Sequence, residues 1–520
     1  MARAGDLSPE EFREAASRVA EWVADYRDRV EEFPVLARVS PGETAAMLPS
    51  SAPEDAEPLE AILDDLNRII LPGLTHWNHP GFLAYFASSS SAAGILAEFV
   101  VATLGVNAML WRTSPAATEL EERVIVWFRE LLGLPESFEG VILDTASTSS
   151  FTALLAAREA AGVDSRELGL TGRSDVPPLL VYLSNQAHSS LEKAAIAAGL
   201  GRRSLRRIET DDRYAMDARA LERQLRTDLE AGALPTMVCA TIGTTSSNAV
   251  DPMARIADIC AEAGIWLHVD AAYAGPAAML PEKRELFDGW DRADSIVVNP
   301  HKWMATPMDC SVLLFRDRRP FRASLALTPE YLSSEHEGVL DLMDVGLALG
   351  RRFRGLKLWF LFRQMGAAGL RALLRRHLGL AADFADRIRR DSRFELAAPV
   401  PFGTVCFRAH PRRTRSGTSE ARMNAAFDDL EAANEGGRVS NELEASNEWN
   451  RELMARVNRR GPVFLSHTVL DGRFTMRLAV GSVHTEARHV EAAYLILCEE
   501  HDEMAGAGGS AIGEERMTTV

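Results

Sequence analysis

The sequence predicts an α/β fold built on a mainly parallel sheet, with a helical segment ahead of it and a small α+β domain behind it. Three observations carry this. From about residue 118 to residue 300, short apolar runs alternate with helical patterns, which implies parallel strands joined by crossover helices. Two of those runs end in a polar residue and a turn: Ile265–Val269 leads into Asp270, and Ser295–Val298 leads into Asn299-Pro300-His301-Lys302. Ahead of residue 90 the regular pattern is helical, and after about residue 385 strand-like runs return at Phe394–Ala397, Thr404–Phe407 and Phe474–Leu478.

Taken in order, Ser8-Pro9-Glu10-Glu11 reads as an N-cap, a first-turn proline and a capping-box glutamate, followed by Phe12, Ala16, Val19, Val23 and Tyr26 on one apolar face. A second amphipathic helix spans Leu59 to Ile70. Gly94 to Trp111 is almost wholly apolar but carries Glu98 and Asn107, so it suits a helix buried in a core or subunit interface better than a membrane span. The alternation then runs helix (Glu119–Leu132), strand (Val141–Leu143), helix (Ser150–Ala161), strand (Leu179–Tyr182) and helix (Leu191–Ala198). Strand Met237–Ile242 and helix Met253–Ala263 precede the two strands already named. A long helix starts near Gly350-Arg351-Arg352-Phe353-Arg354 and runs toward Arg375. The expected segments are therefore 1–90, helical and suited to dimerisation; 91–384, the large domain; 385–504, the small domain; and 505–520, a tail without a core pattern. Residues 411–448, rich in Arg, Ser, Glu and Asn, read as a solvated insertion.

A net charge of −17 argues against nucleic acid or an anionic membrane as the main partner. The five cysteines have no metal-ligand spacing and leave one thiol over if paired, so neither a metal centre nor a disulfide framework is expected. Met1 to Pro9 lacks a signal-peptide core, which makes the cytoplasm the expected compartment.

In an open parallel sheet, Asp270 and Lys302 would both reach the crevice at the strand ends, where ligands bind. Desolvation destabilises a lysine ammonium and favours the neutral amine that attacks an aldehyde. A carboxylate beside it can keep a pyridinium nitrogen protonated. Those are the two protein groups that pyridoxal 5′-phosphate (PLP) requires. Taken alone, Asp270 reads more readily as a turn cap and Lys302 as a surface lysine after a strand. The turn Asp144-Thr145-Ala146-Ser147-Thr148-Ser149-Ser150 opens a helix, and suits either a phosphate dianion or a plain serine-rich N-cap. His188 and Thr244 follow two other strands, and the aromatic cluster of Trp77, Tyr85 and Phe86 reads as core on composition alone.

The words His268-Val269-Asp270-Ala271-Ala272-Tyr273-Ala274-Gly275 and Asn299-Pro300-His301-Lys302-Trp303 together resemble the PLP-dependent group II amino-acid decarboxylases, most closely the aromatic L-amino-acid and histidine decarboxylases. The resemblance covers about residues 10–500. It implies the aspartate-aminotransferase fold (fold type I), a homodimer with a shared active site, and decarboxylation of an aromatic L-amino acid. By the same resemblance Lys302 bonds the cofactor aldehyde, Asp270 holds its ring nitrogen protonated and His188 stacks on its ring. Thr145, Ala146 and Ser147 cradle the phosphate, with Thr244, Ala272 and Asn299 also at the cofactor. His301 sits by the substrate carboxylate, and Tyr331, on a polar loop reaching the other subunit, protonates the α-carbon. Trp77, Tyr85, Phe86, Met109 and Gly350 line the substrate pocket. Ala87, Ser88 and Met109 depart from the animal pattern of Pro, Thr and Phe, and Gly350 leaves room for an indole or phenyl ring. The alternative within this fold is an aldehyde synthase, which often replaces the loop tyrosine or the stacking histidine; both are present here. Aminotransferases and desulfurases lack the Asn-Pro-His-Lys-Trp context, and a silent scaffold would be expected to have lost Lys302 or Asp270.

Overall fold

The computed structural model describes residues 6–327, 339–411 and 435–514, with backbone alone for 435–440 and 507–514. The chain divides into two compact units. One comprises the residues up to Tyr85, Ala409–His467 and the chain from His484 on; the other comprises Phe86–Arg408 and Thr468–Val483.

The larger unit is built on a seven-stranded sheet. Its strands are β1 (Glu139–Leu143), β2 (Leu179–Ser184), β3 (Leu205–Ile208), β4 (Leu234–Thr241), β5 (Trp266–Asp270), β6 (Ser295–Val298) and β7 (Ser311–Phe315), in the order β1-β7-β6-β5-β4-β2-β3. β7 is antiparallel to both its neighbours and every other pairing is parallel, so β7 alone runs against the rest. The mainly parallel sheet of the sequence reading is present. Its central strands are continuous apolar runs because both faces are covered. Val181, Leu183, Met237 and Cys239 pack with Leu154 and Leu191 of helices Ala146–Ala160 and Ser190–Ala197. Leu180, Tyr182, Val238 and Ala240 pack with Leu221 and Ile256 of helices Ala218–Glu230 and Met253–Ala263.

Some elements differ from expectation. β3 is an added edge strand whose Leu-Arg-Arg-Ile sequence hides it, since Arg206 pairs with Asp228 at 3.0 Å and Arg207 with Glu192 at 2.6 Å. β7 and the strongly amphipathic helix Ala218–Glu230 are likewise additional. The apolar stretch from Gly94 forms helix Ala92–Leu104, ended by Gly105 at φ +59°, but Leu96, Phe99 and Leu104 are each 54% exposed. Among the described residues no helix is long and apolar enough to cross a membrane. The long helix begins at Gly355, reaches Arg390 and breaks at Gly366 (φ +63°). A second sheet in this unit orders β10 (Ser466–Leu470), β11 (Arg473–Ala479), β9 (Thr404–Ala409) and β8 (Phe394–Leu396), with Met476 opposite Phe407.

In the smaller unit, helix Pro9–Arg29 carries the expected capping box: Glu11 N–H donates to Ser8 Oγ (3.3 Å) and Ser8 N–H to Glu11 Oε2 (2.9 Å). The second helix is α-helical only over Leu59–Asp65 and widens to a π-turn over Leu66–Ile70. Helices Glu435–Arg460 and Ala487–Glu514 pack together, so part of the stretch read as an insertion, and the start of the stretch read as a tail, are helical. The chain near residue 82 runs beside that near 464, with Leu83 N–H donating to Phe464 O and Phe464 N–H to Gly81 O, both at 3.0 Å.

Candidate active site

Parallel strands in register bring their C-terminal ends to one edge, and the sheet bonds continue into the turns there. Thr241 of β4 stands opposite Asp270 of β5, which stands opposite Val297 of β6. Beyond the strands, Ile242 N–H donates to Asp270 O (2.9 Å), Ala271 N–H to Val297 O (3.0 Å) and Asn299 N–H to Ala272 O (3.0 Å). Asp270 and Lys302 therefore leave adjacent strands at the same edge. Asp270 is 7% exposed and its Oδ1 accepts Ala272 N–H at 3.1 Å. Lys302 lies on the one-turn helix Pro300–Trp303 and is partly buried. Burial lowers the pKa of its ammonium, and the Asp270 charge offsets part of that. Its Nζ stands 5.3 Å from the Phe86 ring centroid and has no hydrogen-bond or ion-pair partner among the described residues.

His188 follows β2. Ser190 N–H donates to its Nδ1 at 3.1 Å, so Nδ1 is the acceptor and the neutral ring carries its proton on Nε2. Burial lowers its pKa; Asp270 pulls the other way and Lys302 adds to the lowering, so these three groups share one electrostatic neighbourhood. His301 is 3% exposed, with Nδ1 accepting Cys310 N–H at 3.1 Å. Burial and the Lys302 charge push it down to about 4. Its Nε2 faces the Asn299 amide at 3.3 Å, and Asn299 Oδ1 is buried without a partner. Turning that amide over pairs Oδ1 with the Nε2–H and satisfies both groups. Both ring nitrogens of His301 are thus engaged inside the fold. These contacts tie His301 to the turn that carries Lys302.

Thr145 N-caps helix Ala146–Ala160, and the N–H groups of Ala146, Ser147 and Thr148 have no partner among the described residues. They lie at the end of β1, on the edge that carries Asp270. Thr244 is fully buried; its Oγ1 accepts Ala249 N–H and meets Ser247 Oγ, both at 3.0 Å, which folds the loop after β4. Free N–H donors at a helix start, an unpartnered amine and the buried, unpartnered Thr241 Oγ1 are the groups that a phosphate-bearing aldehyde cofactor would engage.

Of the residues expected to line the substrate pocket, Phe86 is buried against Tyr273, ring centroids 3.8 Å apart. Met109 and Gly350 meet through Asn107. Its Nδ2 lies 3.4 Å from Met109 Sδ and 3.8 Å from where a Cβ on Gly350 would stand, while its Oδ1 accepts Arg351 N–H at 2.9 Å. Beneath them the Arg351–Glu121 ion pair (2.7 Å) is buried, and Arg351 also donates to Ile142 O and Ala108 O. Trp77 and Tyr85 stack with each other at 6.0 Å in the smaller unit and are 40% and 52% exposed. Tyr331 lies outside the described residues.

The structure adds residues that the sequence reading passed over. Arg477, in the middle of buried β11, places its guanidinium 5.3 Å from the Phe86 centroid and donates from Nε to Ser246 O at 3.0 Å. A single arginine inside the run Phe474-Thr475-Met476-Arg477-Leu478 was the available signal. His268, two residues before Asp270, is buried between Ser150 Oγ (3.1 Å) and Ser295 Oγ (2.9 Å) and held near 4 by burial.

Residues 41–410 match the family model described as the pyridoxal-dependent decarboxylase conserved domain. Phenylacetaldehyde synthase of Arabidopsis thaliana is 40% identical over 505 residues, 95% of this chain and 96% of that protein. Tryptophan decarboxylase 2 of Oryza sativa subsp. japonica is 40% identical over 511 residues, 96% of each. The crystal structure of Oryza sativa TDC with PLP and tryptamine superposes with a TM-score of 0.87 at 38% identity, over 97% of this chain and 100% of that one. With the sheet edge that joins Asp270 to Lys302, these similarities lead to one conclusion: the chain belongs to the pyridoxal-dependent decarboxylase family, as an amino-acid carboxy-lyase that uses PLP.

Proposed function

We propose that the enzyme decarboxylates an aromatic L-amino acid of the tryptophan, phenylalanine, tyrosine or dopa type to its amine and CO₂. The observation that carries the reading is the acid–amine pair Asp270 and Lys302 at one sheet edge, beside the free N–H groups of Ala146, Ser147 and Thr148. The aromatic class is supported by relatives named for tryptophan and phenylacetaldehyde at 40% identity across nearly the whole chain.

Bound PLP supplies an electron sink for the pair left on the α-carbon as CO₂ departs. The chain's own groups do the rest. Lys302, its ammonium disfavoured by burial, would be the amine that holds the cofactor aldehyde. Asp270 holds a proton on the ring nitrogen. His188 covers the ring with a neutral imidazole of fixed tautomer. The N–H groups of Ala146, Ser147 and Thr148, with the Thr145 and Ser147 hydroxyls, bind the phosphate at the positive end of their helix. Ala272, Asn299 and Thr244 shape the turns around it, and His301 holds Asn299. Phe86, Met109 and Gly350 are assigned to the side-chain pocket. Tyr331 delivers the proton to the α-carbon.

The second reading, an aldehyde synthase, is favoured by the Arabidopsis relative at the same 40% identity. Tyr331 and His188 weigh toward the amine. The test is to incubate purified protein with PLP and each aromatic amino acid, assaying CO₂, amine, aldehyde and peroxide together. Amine equal to CO₂ with no peroxide supports decarboxylation; peroxide equal to CO₂ supports the synthase. Tyr331→Phe should then slow amine formation by about 10²- to 10⁴-fold and raise the aldehyde-to-amine ratio.

A cytoplasmic homodimer belongs to the same proposal, with residues 1–90 as the dimerisation segment. Helix Pro9–Arg29 buries no residue and exposes Phe12 and Val19, and helix Ala92–Leu104 exposes Leu96 and Phe99, so both present apolar surface suited to a second copy. Light scattering should give twice the chain mass; an active monomer would overturn the shared site.

A further inference from the structure

We infer that Trp303, Tyr273 and His377 are positioning residues that set where the Lys302 amine stands, an inference that rests on the reading that Lys302 bonds the cofactor aldehyde. Trp303 follows Lys302 on the same one-turn helix and is fully buried. Its ring stacks on Tyr273 with centroids 4.8 Å apart and planes 12° from parallel. Tyr273 stacks in turn on Phe86 at 3.8 Å and 14°. The far end of the Lys302 side chain stands 5.3 Å from that same Phe86 ring, within reach of an amine–ring contact. The lysine is therefore gripped at both ends by one stack: its backbone through Trp303, and its Nζ through Phe86.

The stack is itself pinned. An indole N–H can only donate, so His377 Nδ1, 3.0 Å from Trp303 Nε1, must be the acceptor and carry no proton. The proton of the neutral ring then sits on Nε2 and is donated to Ser482 O at 3.0 Å. His377 is fully buried on helix Gly355–Arg390, and burial holds its pKa near 3, so this single tautomer persists at neutral pH. There is no slack on the other side: a Cβ on Gly403 would stand 2.7 Å from Tyr273 Oη and 3.3 Å from Trp303 Cζ2. A tilt of the indole would move the backbone of Lys302 and the ring beneath its amine together. Burial of large rings alone needs neither the defined tautomer nor the two-ended grip.

The test separates the position of the amine from the integrity of the cofactor site. Full-length protein freed of cofactor is mixed with PLP, and formation of the Lys302–cofactor bond is followed by its absorbance. Equilibrium binding of 4′-deoxypyridoxine 5′-phosphate, which has the ring and phosphate but no aldehyde, is measured in parallel. Trp303→Phe, which removes the N–H, and His377→Leu should form the bond about 10- to 100-fold more slowly, as expected for a misplaced reacting group, while binding the analogue as the unchanged protein does. His377→Gln offers an acceptor and a donor in place of the two ring nitrogens and should restore most of the rate. Tyr273→Leu removes the middle ring, leaves the Trp303–His377 bond, and should slow the step alike, so the outcome does not hang on one variant that fails to fold. Bond formation at the original rate in the folded variants, or analogue affinity falling in the same proportion, would overturn the inference. If the unchanged protein binds the analogue but forms no bond to PLP, the reading of Lys302 is wrong instead.

Discussion

Asp270, Asn299 and Lys302 extend from strands whose backbones are bonded to neighbours on both sides, whereas Met109 and Gly350 sit on turns joined through the side chain of Asn107. At the sheet edge Asp270 and Asn299 are buried and Lys302 partly so, and the tautomers of His188 and His377 follow from their backbone and indole donors. Around Gly350 the chain is exposed, and one amide with the Arg351–Glu121 pair beneath it holds the wall. On the proposed assignment, the reacting groups are set by the sheet, while the side-chain pocket is set by loops that can change without disturbing it. Relatives named for tryptophan and for phenylacetaldehyde, equally similar to this chain, are what such a division allows.

The sharpest way to break the comparison is at the edge. Lys302→Ala should lower turnover by about 10⁴-fold or more for every substrate alike, with circular dichroism unchanged. A loss confined to one amino acid would put Lys302 in the wall instead. Asp270→Asn should keep the bond to PLP and cost about 10²- to 10⁴-fold in kcat, since a neutral amide cannot hold the ring nitrogen's proton. Normal turnover would remove Asp270 from the chemistry.

Beneath the wall, Glu121→Gln leaves the buried Arg351 charge without its partner. It should cost about 3–5 kcal/mol in urea unfolding, with Glu121→Leu combined with Arg351→Met recovering much of the loss. Gly350→Ser places a side chain beside Asn107, and should lower kcat/KM for tryptophan relative to phenylalanine by about 10-fold while leaving PLP binding as it was. Equal losses for both substrates would mean that the wall does not select.

A further break lies in pH. Burial holds His268 and His301 at about 4 and His377 at about 3, below the ordinary value of 6.5. The unfolded chain therefore takes up protons that the folded chain refuses. The stability these residues contribute is complete above pH 6.5 and is lost as pH falls toward 4, by about 1.4 kcal/mol per pH unit for each histidine. Urea midpoints at pH 7, 6 and 5 should fall in that order, and His268→Gln should remove one proton's share of the slope. An unchanged slope would mean that His268 titrates normally.

The sequence made the edge legible because strand ends and turns are local: an apolar run, its terminal carboxylate and the next run's lysine fall within 270–302, and the helix start at Thr145 follows its strand directly. What it hid is held by contacts distant in the chain. Trp303 and His377 are 74 residues apart in sequence, and no periodicity links an indole to the imidazole that accepts from it. β3 was hidden because its arginines face ion-pair partners rather than a core. The break at Gly366 was hidden because the helical pattern continues on both sides of it. Helix Ala92–Leu104 was readable as apolar, but which of its faces the fold leaves uncovered is a property of its neighbours.

The central claim is that this sheet edge holds PLP through Lys302. Protein loaded with PLP, reduced with borohydride and digested should carry the cofactor's mass on the peptide containing Lys302 and on no other, with Lys302→Ala carrying none. The same mass on a different lysine, or full turnover in protein that borohydride leaves unlabelled, would contradict the account.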